Sequence, residues 1–210
     1  MIELQHIYKS YDTNTLLEDV SVTWSARKIK IKDENGIGKS VLLKLVVGYS
    51  KPNKGRILYD EKEVGKDSDF IENAGVSINA PSFMPNWTDY ENLVYLASIK
   101  KVCTKKRIRA LLKEFDLYKD ANKKCKTYSL GMLQKMRIIQ ALLDEPKYLI
   151  LDEPFDALSS NAKLQAKNIL QQYLDEDPSR MLLYTSHSEE DDIFADEIYC
   201  IDNQTLIRVK

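Results

Sequence analysis

The segment Asp33-Glu34-Asn35-Gly36-Ile37-Gly38-Lys39-Ser40 sets two glycines, a lysine and a hydroxyl where the alternating run Lys28-Ile29-Lys30-Ile31-Lys32 gives way to the apolar stretch from Val41 to Val47. Residues of these types in this order suit phosphate chemistry. Backbone N–H groups at a helix N-terminus wrap anionic oxygens, glycines permit the close approach, Lys39 reaches the terminal phosphates and the Ser40 hydroxyl ligates Mg2+. The loop pattern G-x-x-x-x-G-K-[ST] asks for glycine at position 33, where this chain has Asp33. A carboxylate there is repelled by a triphosphate, by about 1 kcal/mol in bulk water at roughly 4 Å and by more where water is excluded. An outward-pointing Asp33 would instead pair with Lys32 or Lys28. Further along, Leu149-Ile150-Leu151-Asp152-Glu153-Pro154 is an apolar strand that delivers two adjacent carboxylates at its C-terminal end, where open α/β sheets bind ligands. Asp152 is placed to hold Mg2+, and Glu153 to orient or deprotonate the water that attacks a γ-phosphate.

These side chains need a scaffold, and hydrophobic periodicity outlines one. Period-2 alternation predicts strands at Ile2–Leu4, Val20–Trp24 and Lys28–Lys32. A helix is predicted from Lys39 to about Val47, with Gly48 as its stop. From Tyr90 to about Asp144 helical spacing prevails, over Glu91–Lys100, Thr104–Phe115 and Ser129–Leu143. Then follow the apolar strand Tyr148–Leu151, a helix near Ala162–Leu174, the strand Met181–Tyr184, a short acidic helix at Glu189–Asp192, and Ile198–Ile201. Continuous apolar strands alternating with helices predict a parallel sheet covered on both faces.

The chain's 210 residues, 43% hydrophobic and 30% charged, fit one globular domain and exclude a disordered or collagen-like chain. With 31 basic against 32 acidic residues the net charge is −1, which argues against a general nucleic-acid binder. No uncharged apolar run approaches the roughly 18 residues of a membrane span, and Met1-Ile2-Glu3-Leu4-Gln5 lacks a secretion-signal layout, so the chain is expected to be soluble and not exported. Cys103, Cys125 and Cys200 lie far apart and read as inert thiols rather than zinc ligands or a disulfide frame.

With the phosphate loop and the carboxylate strand in this order, the chain resembles the ATP-binding subunits of ATP-binding-cassette transporters. Tyr128-Ser129-Leu130-Gly131-Met132-Leu133-Gln134-Lys135 resembles that family's signature segment, in a form close to the YSLGM variant of bacitracin and lantibiotic exporters or immunity transporters. The resemblance implies a P-loop NTPase fold of the ABC type: a mixed α/β sheet with flanking helices, an N-terminal antiparallel β part and a helical insert at about 88–145, all within one nucleotide-binding domain over residues 1–210. It implies ATP and Mg2+ as cofactors. Asn35, Gly36, Ile37, Gly38, Lys39, Ser40 and Val41 would contact the nucleotide, and Tyr11, with Tyr8 as the alternative, would stack on adenine. His187, in Tyr184-Thr185-Ser186-His187, would join Lys39 and Glu153 at the γ-phosphate. Ser129, Leu130, Gly131 and Met132 would face a nucleotide held by a second copy, and Ser129 is also a good helix N-cap.

Besides Asp33, three positions depart from the family pattern, among them Val41, where a threonine is common and the change should matter little. Asn79, in Val76-Ser77-Ile78-Asn79-Ala80-Pro81, stands where the family offers glutamine to Mg2+ and the attacking water, and Ser159 stands where an aspartate is expected. The implied partners are a second nucleotide-binding subunit, in a homodimer or heterodimer, and a membrane permease, which would set the chain in the cytoplasm on the inner face of the membrane. Phe83-Met84-Pro85-Asn86-Trp87 lies where the family receives the permease's coupling helices, or else is buried core. The basic run Lys105-Lys106-Arg107-Arg109-Lys113 reads as a solvated face or a contact for lipid headgroups. Two functions are in view: an ATP-hydrolysing motor, with antimicrobial peptides as the implied cargo, or a poorly hydrolysing, nucleotide-gated regulatory subunit, at which Asp33, Asn79 and Ser159 hint.

Overall fold

Two sheets carry the chain in the computed structural model, which describes residues 1–32, 38–100, 103–120 and 122–210. In chain order the elements are β1 (Ile2–Tyr11), β2 (Asn14–Trp24), β3 (Lys28–Lys32), α1 (Lys39–Val47), β4 (Lys54–Tyr59), β5 (Lys62–Glu63), β6 (Ala74–Ser77), α2 (Asp89–Lys100), α3 (Lys105–Glu114), α4 (Leu130–Leu142), β7 (Tyr148–Leu151), α5 (Ser160–Asp175), β8 (Met181–Thr185), β9 (Glu197–Asp202) and β10 (Thr205–Arg208). The first sheet is antiparallel in the order β2-β1-β4-β5; the second runs β10-β9-β3-β8-β7-β6. In the second, β9, β3, β8, β7 and β6 pair in parallel and β10 closes the edge antiparallel to β9. This is a mixed sheet with flanking helices beside an antiparallel N-terminal sheet.

β7 shows why a continuous apolar run makes a central strand. Leu149 and Leu151 point into a core shared with α2 to α5, while Tyr148 and Ile150 point into a second core shared with α1 and the antiparallel sheet. Side chains alternate between faces, and both faces are covered. Each fully buried Leu or Ile contributes roughly 1.5–3 kcal/mol. Because β3, β6, β7 and β8 are parallel, the segments that leave them emerge along one edge of the sheet, and this brings distant chemistry together.

α1 spans the predicted Lys39–Val47. It opens at Gly38, whose φ of 85° is left-handed backbone that costs glycine little, and the N–H of Gly48 closes it onto the Leu45 carbonyl. β4, β5, β6 and β10 are strands that periodicity did not single out. In β6 the missing side chain is the point, since a Cβ on Gly75 would stand 1.9 Å from the Ala141 carbonyl oxygen of α4. The alternation in β3 predicted a solvent face for its lysines, but Lys30 is fully buried. Among the described residues no helix is long and apolar enough to cross a membrane.

Candidate active site

Asp152, one residue beyond β7, is oriented from three sides. The Ser40 hydroxyl, in the first turn of α1, donates to Asp152 Oδ2 at 2.8 Å, and the backbone N–H of Asn79, beyond β6, approaches the same oxygen at 3.4 Å. Thr185, the last residue of β8, donates to Oδ1 at 2.7 Å. Its hydroxyl oxygen also accepts the Glu153 N–H at 2.8 Å. The Asp152 N–H is itself tied to the Ser77 carbonyl at 2.7 Å, so β6 and β7 end in register. Asn79 therefore joins this cluster through its backbone amide, in a turn where Asn79 and Ala80 both have left-handed φ values, 56° and 46°. A hydroxyl and a carboxylate meeting here form a hard-oxygen donor pair that suits Mg2+.

Glu153 also sits in left-handed backbone, at φ 45°, an uncommon conformation for a residue with a Cβ. Its carbonyl accepts a hydrogen bond from Gln134 Nε2 of α4 at 3.0 Å. Its carboxylate lies between two nitrogen-bearing side chains: Lys39 Nζ is 3.1 Å from Oε1, and His187 Nδ1 is 3.3 Å from Oε2. Lys39 is buried and His187 half-exposed. Asp156 Oδ1 lies 3.9 Å from the same imidazole nitrogen. Burial and the neighbouring Glu153 charge push the Asp156 carboxyl above its usual range.

The segment after His187 is pinned by the acids that the sequence left without a role. Lys30 reaches from β3 to the Ser188 carbonyl at 2.6 Å and to the Asp192 carboxylate, which explains how a lysine is buried in mid-strand. Lys32 adds Asp192 at 3.1 Å and Glu189 at 3.3 Å, and Lys167 reaches Asp191 at 2.7 Å. Burial works against the charge on Asp192, yet the ammonium groups of Lys30 and Lys32 outweigh it and hold this carboxyl below its usual range. Lys28 and Lys32, offered as outward partners for Asp33, are engaged with Asp196 at 3.4 Å and with Asp192 and Glu189 respectively. Asp33, Asn35, Gly36 and Ile37 lie outside the described residues.

Ser129 caps α4, its Oγ accepting the Met132 N–H at 3.2 Å, and Leu130 beside it is 71% exposed. Gly131 packs so closely on the segment after Glu153 that a Cβ would stand 2.9 Å from the Ala157 carbonyl oxygen. The signature-like segment and the carboxylate strand thus touch within one chain. Ser159 caps α5, accepting from Ala162 at 3.4 Å. Val41 packs its side chain against the core beneath α1. Tyr11 ends β1 on the exposed rim, with Lys9 Nζ 4.6 Å from its ring centroid and a hydrogen bond from Ser50 lowering its phenol pKa. Tyr8 lies under Lys54, 5.5 Å away. Sequence reasoning missed Thr185, Gln134, Asp156 and Lys30. Only Thr185 carried a signal, as a hydroxyl closing an otherwise apolar strand.

Comparison with known proteins gives this arrangement its setting. The ABC transporter family profile matches residues 17–156. The uncharacterised ABC transporter ATP-binding protein YybJ of Bacillus subtilis is 30% identical over 192 residues, covering 91% of this chain and 87% of that protein. The bacitracin transport ATP-binding protein BcrA of Enterococcus faecalis is 28% identical over 200 residues, covering 94% of this chain and 65% of that protein. In fold, the chain is similar to the ATP-binding cassette MJ0796, solved as a dimer in a post-hydrolysis state bound to ADP and Pi, with a TM-score of 0.85 at 21% identity over 100% of this chain and 99% of that one. An ATP-binding subunit of an ABC transporter gives a TM-score of 0.86 at 22% identity, over 100% of this chain and 90% of that one. The chain belongs to the ABC transporter family, as one of its ATP-binding cassettes.

Proposed function

We propose that this chain hydrolyses Mg-ATP, in a head-to-tail pair of nucleotide-binding subunits, to drive a membrane permease at the inner face of the cell membrane. The observation that carries the reading is the Glu153 carboxylate, set between Lys39 and His187 beside the Ser40–Asp152 pair. Lys39 would release Glu153 for the β- and γ-phosphates, since a triphosphate offers it more negative charge than one carboxylate. Glu153 would then be free to orient the attacking water and accept its proton, and His187 would donate to the γ-phosphate. Ser40 and Asp152 would hold Mg2+, which when bound neutralises phosphate charge. Gly38, with the loop before it, and Val41 would lie along the phosphates, and Tyr11 would stack on the base. Ser129, Leu130, Gly131 and Met132 would complete the site of the second copy by presenting the N-terminus of α4 to its γ-phosphate.

The surface supports a docking place for the permease. Met84, Trp87, Tyr95 and Ile99 are exposed large apolar side chains beside or on α2, and the rings of Trp87 and Tyr95 meet edge to face with centroids 5.5 Å apart. The likeness to BcrA supports a peptide antibiotic as cargo. Asp33 in the phosphate loop favours one second reading, a nucleotide-gated subunit that hydrolyses poorly. One experiment separates the readings: Mg-ATP turnover by the natural chain, Asp33→Gly and Glu153→Gln. Turnover by the natural chain well above Glu153→Gln supports the motor. Activity confined to Asp33→Gly supports the gated subunit, and equal turnover by the natural chain and Glu153→Gln removes Glu153 from its role.

A further inference from the structure

Glu153 holds an uncommon backbone conformation, and the groups that keep it there lead back into α4. Its carbonyl, at φ 45°, accepts Gln134 Nε2 at 3.0 Å. The same carbonyl accepts the Asp156 N–H at 3.3 Å. Gln134 is buried, and its amide oxygen accepts Arg137 Nη1 at 2.9 Å. The other branch of that guanidinium, Nε, donates at 3.3 Å to the carbonyl of Pro81, two residues past Asn79. Burial pulls the pKa of Arg137 down, and no carboxylate among the described residues offsets it. A charge is thus partly withdrawn from water to serve two neutral oxygens, on two segments that both lead to the active edge of the sheet.

We propose that Arg137 is a positioning residue for the catalytic carboxylate. Its rigid fork spans Pro81 and Gln134, fixes which way the Gln134 amide faces, and through that amide holds the Glu153 carbonyl. Turning the amide over would set its oxygen against a carbonyl oxygen, and the charged donor on the far side prevents this. The carboxylate of Glu153 is aimed at Lys39 and His187 because its backbone is held in the left-handed basin, and Arg137 ties that aim to α4 and to the Asn79–Pro81 turn together. A shift of α4 against the sheet is therefore felt at Glu153 without any contact between Arg137 and nucleotide. This inference rests on the hydrolytic reading above for its effect on turnover, and on geometry alone for its effect on the backbone.

The test compares the natural chain with Arg137→Met, Arg137→Lys, Gln134→Leu and the Arg137→Met/Gln134→Leu double variant. Arg137→Met keeps the apolar stem and removes the fork; Arg137→Lys keeps the charge and offers one point donor. Steady-state Mg-ATP kinetics should show kcat falling on the order of tenfold to a hundredfold in Arg137→Met, the scale expected when a reacting group is misplaced by about 1 Å, with KM changed by less than about twofold. Arg137→Lys should recover part of the rate, and the double variant should lose no more than the worse single one, because the two residues act in series. Unchanged kcat in Arg137→Met beside an active natural chain overturns the proposal, as does a double variant that loses the product of the single losses. Hydrogen exchange at the Asp156 amide, which bonds the same Glu153 carbonyl, supplies a readout independent of turnover. It should quicken in Arg137→Met while exchange in the interior of β7 stays unchanged. If the natural chain hydrolyses no ATP, the functional reading fails, and Asp156 exchange still decides the role of Arg137: unchanged exchange overturns it.

Discussion

The end of β7 and the start of α4 lie against each other, yet they are finished in opposite ways. Asp152 and Glu153 draw partners from α1, α4, β8 and the turn after β6, all within one chain. The first turn of α4 spends the Ser129 oxygen on its own cap and leaves Leu130 pointing into solvent. The carboxylate end is held by partners within the chain, although Glu153 Oε2 is buried with no hydrogen bond of its own; the helix end offers an N-terminus and an apolar side chain to something outside. A site split in this way has one half fixed by folding and the other by assembly, which is what the proposed sandwich of two copies requires.

The contrast breaks most visibly at Ser129. Ser129→Arg should cut Mg-ATP turnover on the order of a hundredfold, the scale of losing one preorganised donor at a reacting phosphate, while ATP binding by the isolated chain changes less than about twofold. Equilibrium nucleotide binding and turnover, measured on the same preparation, check this. An unaffected rate would mean that the outward-facing turn meets no nucleotide.

The residue before Ser129 sharpens the contrast, because it is anchored where its neighbour is not. Tyr128 donates its hydroxyl to Asp89 Oδ2 at 2.9 Å, and Asp89 is fully buried. Burial raises the Asp89 pKa above the usual 3.8 despite that bond. A carboxyl raised on folding favours the native state at low pH and loses that contribution as pH rises from 3.8 through its folded value. Tyr128→Phe removes a bond that favours the charged form, so it should cost about 1–3 kcal/mol at neutral pH and less in acid. Denaturant unfolding at the two pH values tests this, and an equal deficit at both would sever Tyr128 from Asp89.

Much of this was legible in the sequence, and the reasons differ from place to place. α1 and β7 have their predicted bounds because Gly38 and Gly48 bracket a largely apolar helix and Pro146 and Asp152 flank an uninterrupted apolar strand. α3 and α4 start one residue past the predicted Thr104 and Ser129, which are their N-caps. Lys39, Ser40, Asp152 and Glu153 could be named because each follows a strand whose pattern is local, and parallel strands carry their ends to one edge; His187 was named through the family resemblance, helped by its place after a strand. What was not legible depends on pairs far apart in the chain. Lys30 looked like a solvent residue until Asp192 and Ser188 closed over it, and nothing in the residues around Gly75 announces the approach of Ala141. The Arg137–Gln134–Glu153 connection has no period at all, since two of its three members are one helical turn apart and the third lies across a packed interface.

The opposite end of β7 supplies the smallest effect and the cleanest control. There Lys147 and Tyr148 face Asp60, whose carboxyl burial would raise but whose hydrogen bonds from Lys147 and Tyr148 win, holding it at about 2. A carboxyl lowered on folding stabilises the native state above its unfolded value of 3.8, and the contribution is lost as pH falls toward about 2. Asp60 is partly exposed, so screening by solvent limits the gain to under about 1 kcal/mol at neutral pH. Asp60→Asn should lower the thermal midpoint slightly at neutral pH, with the difference from the natural chain shrinking as pH falls through about 2, and leave turnover alone. It acts on the same strand as Asp152 from the end where no nucleotide is proposed to bind. A loss of turnover in Asp60→Asn, at a temperature where both proteins are folded, would show that the two ends of β7 are coupled and that the division between a chemical end and a structural end is drawn in the wrong place.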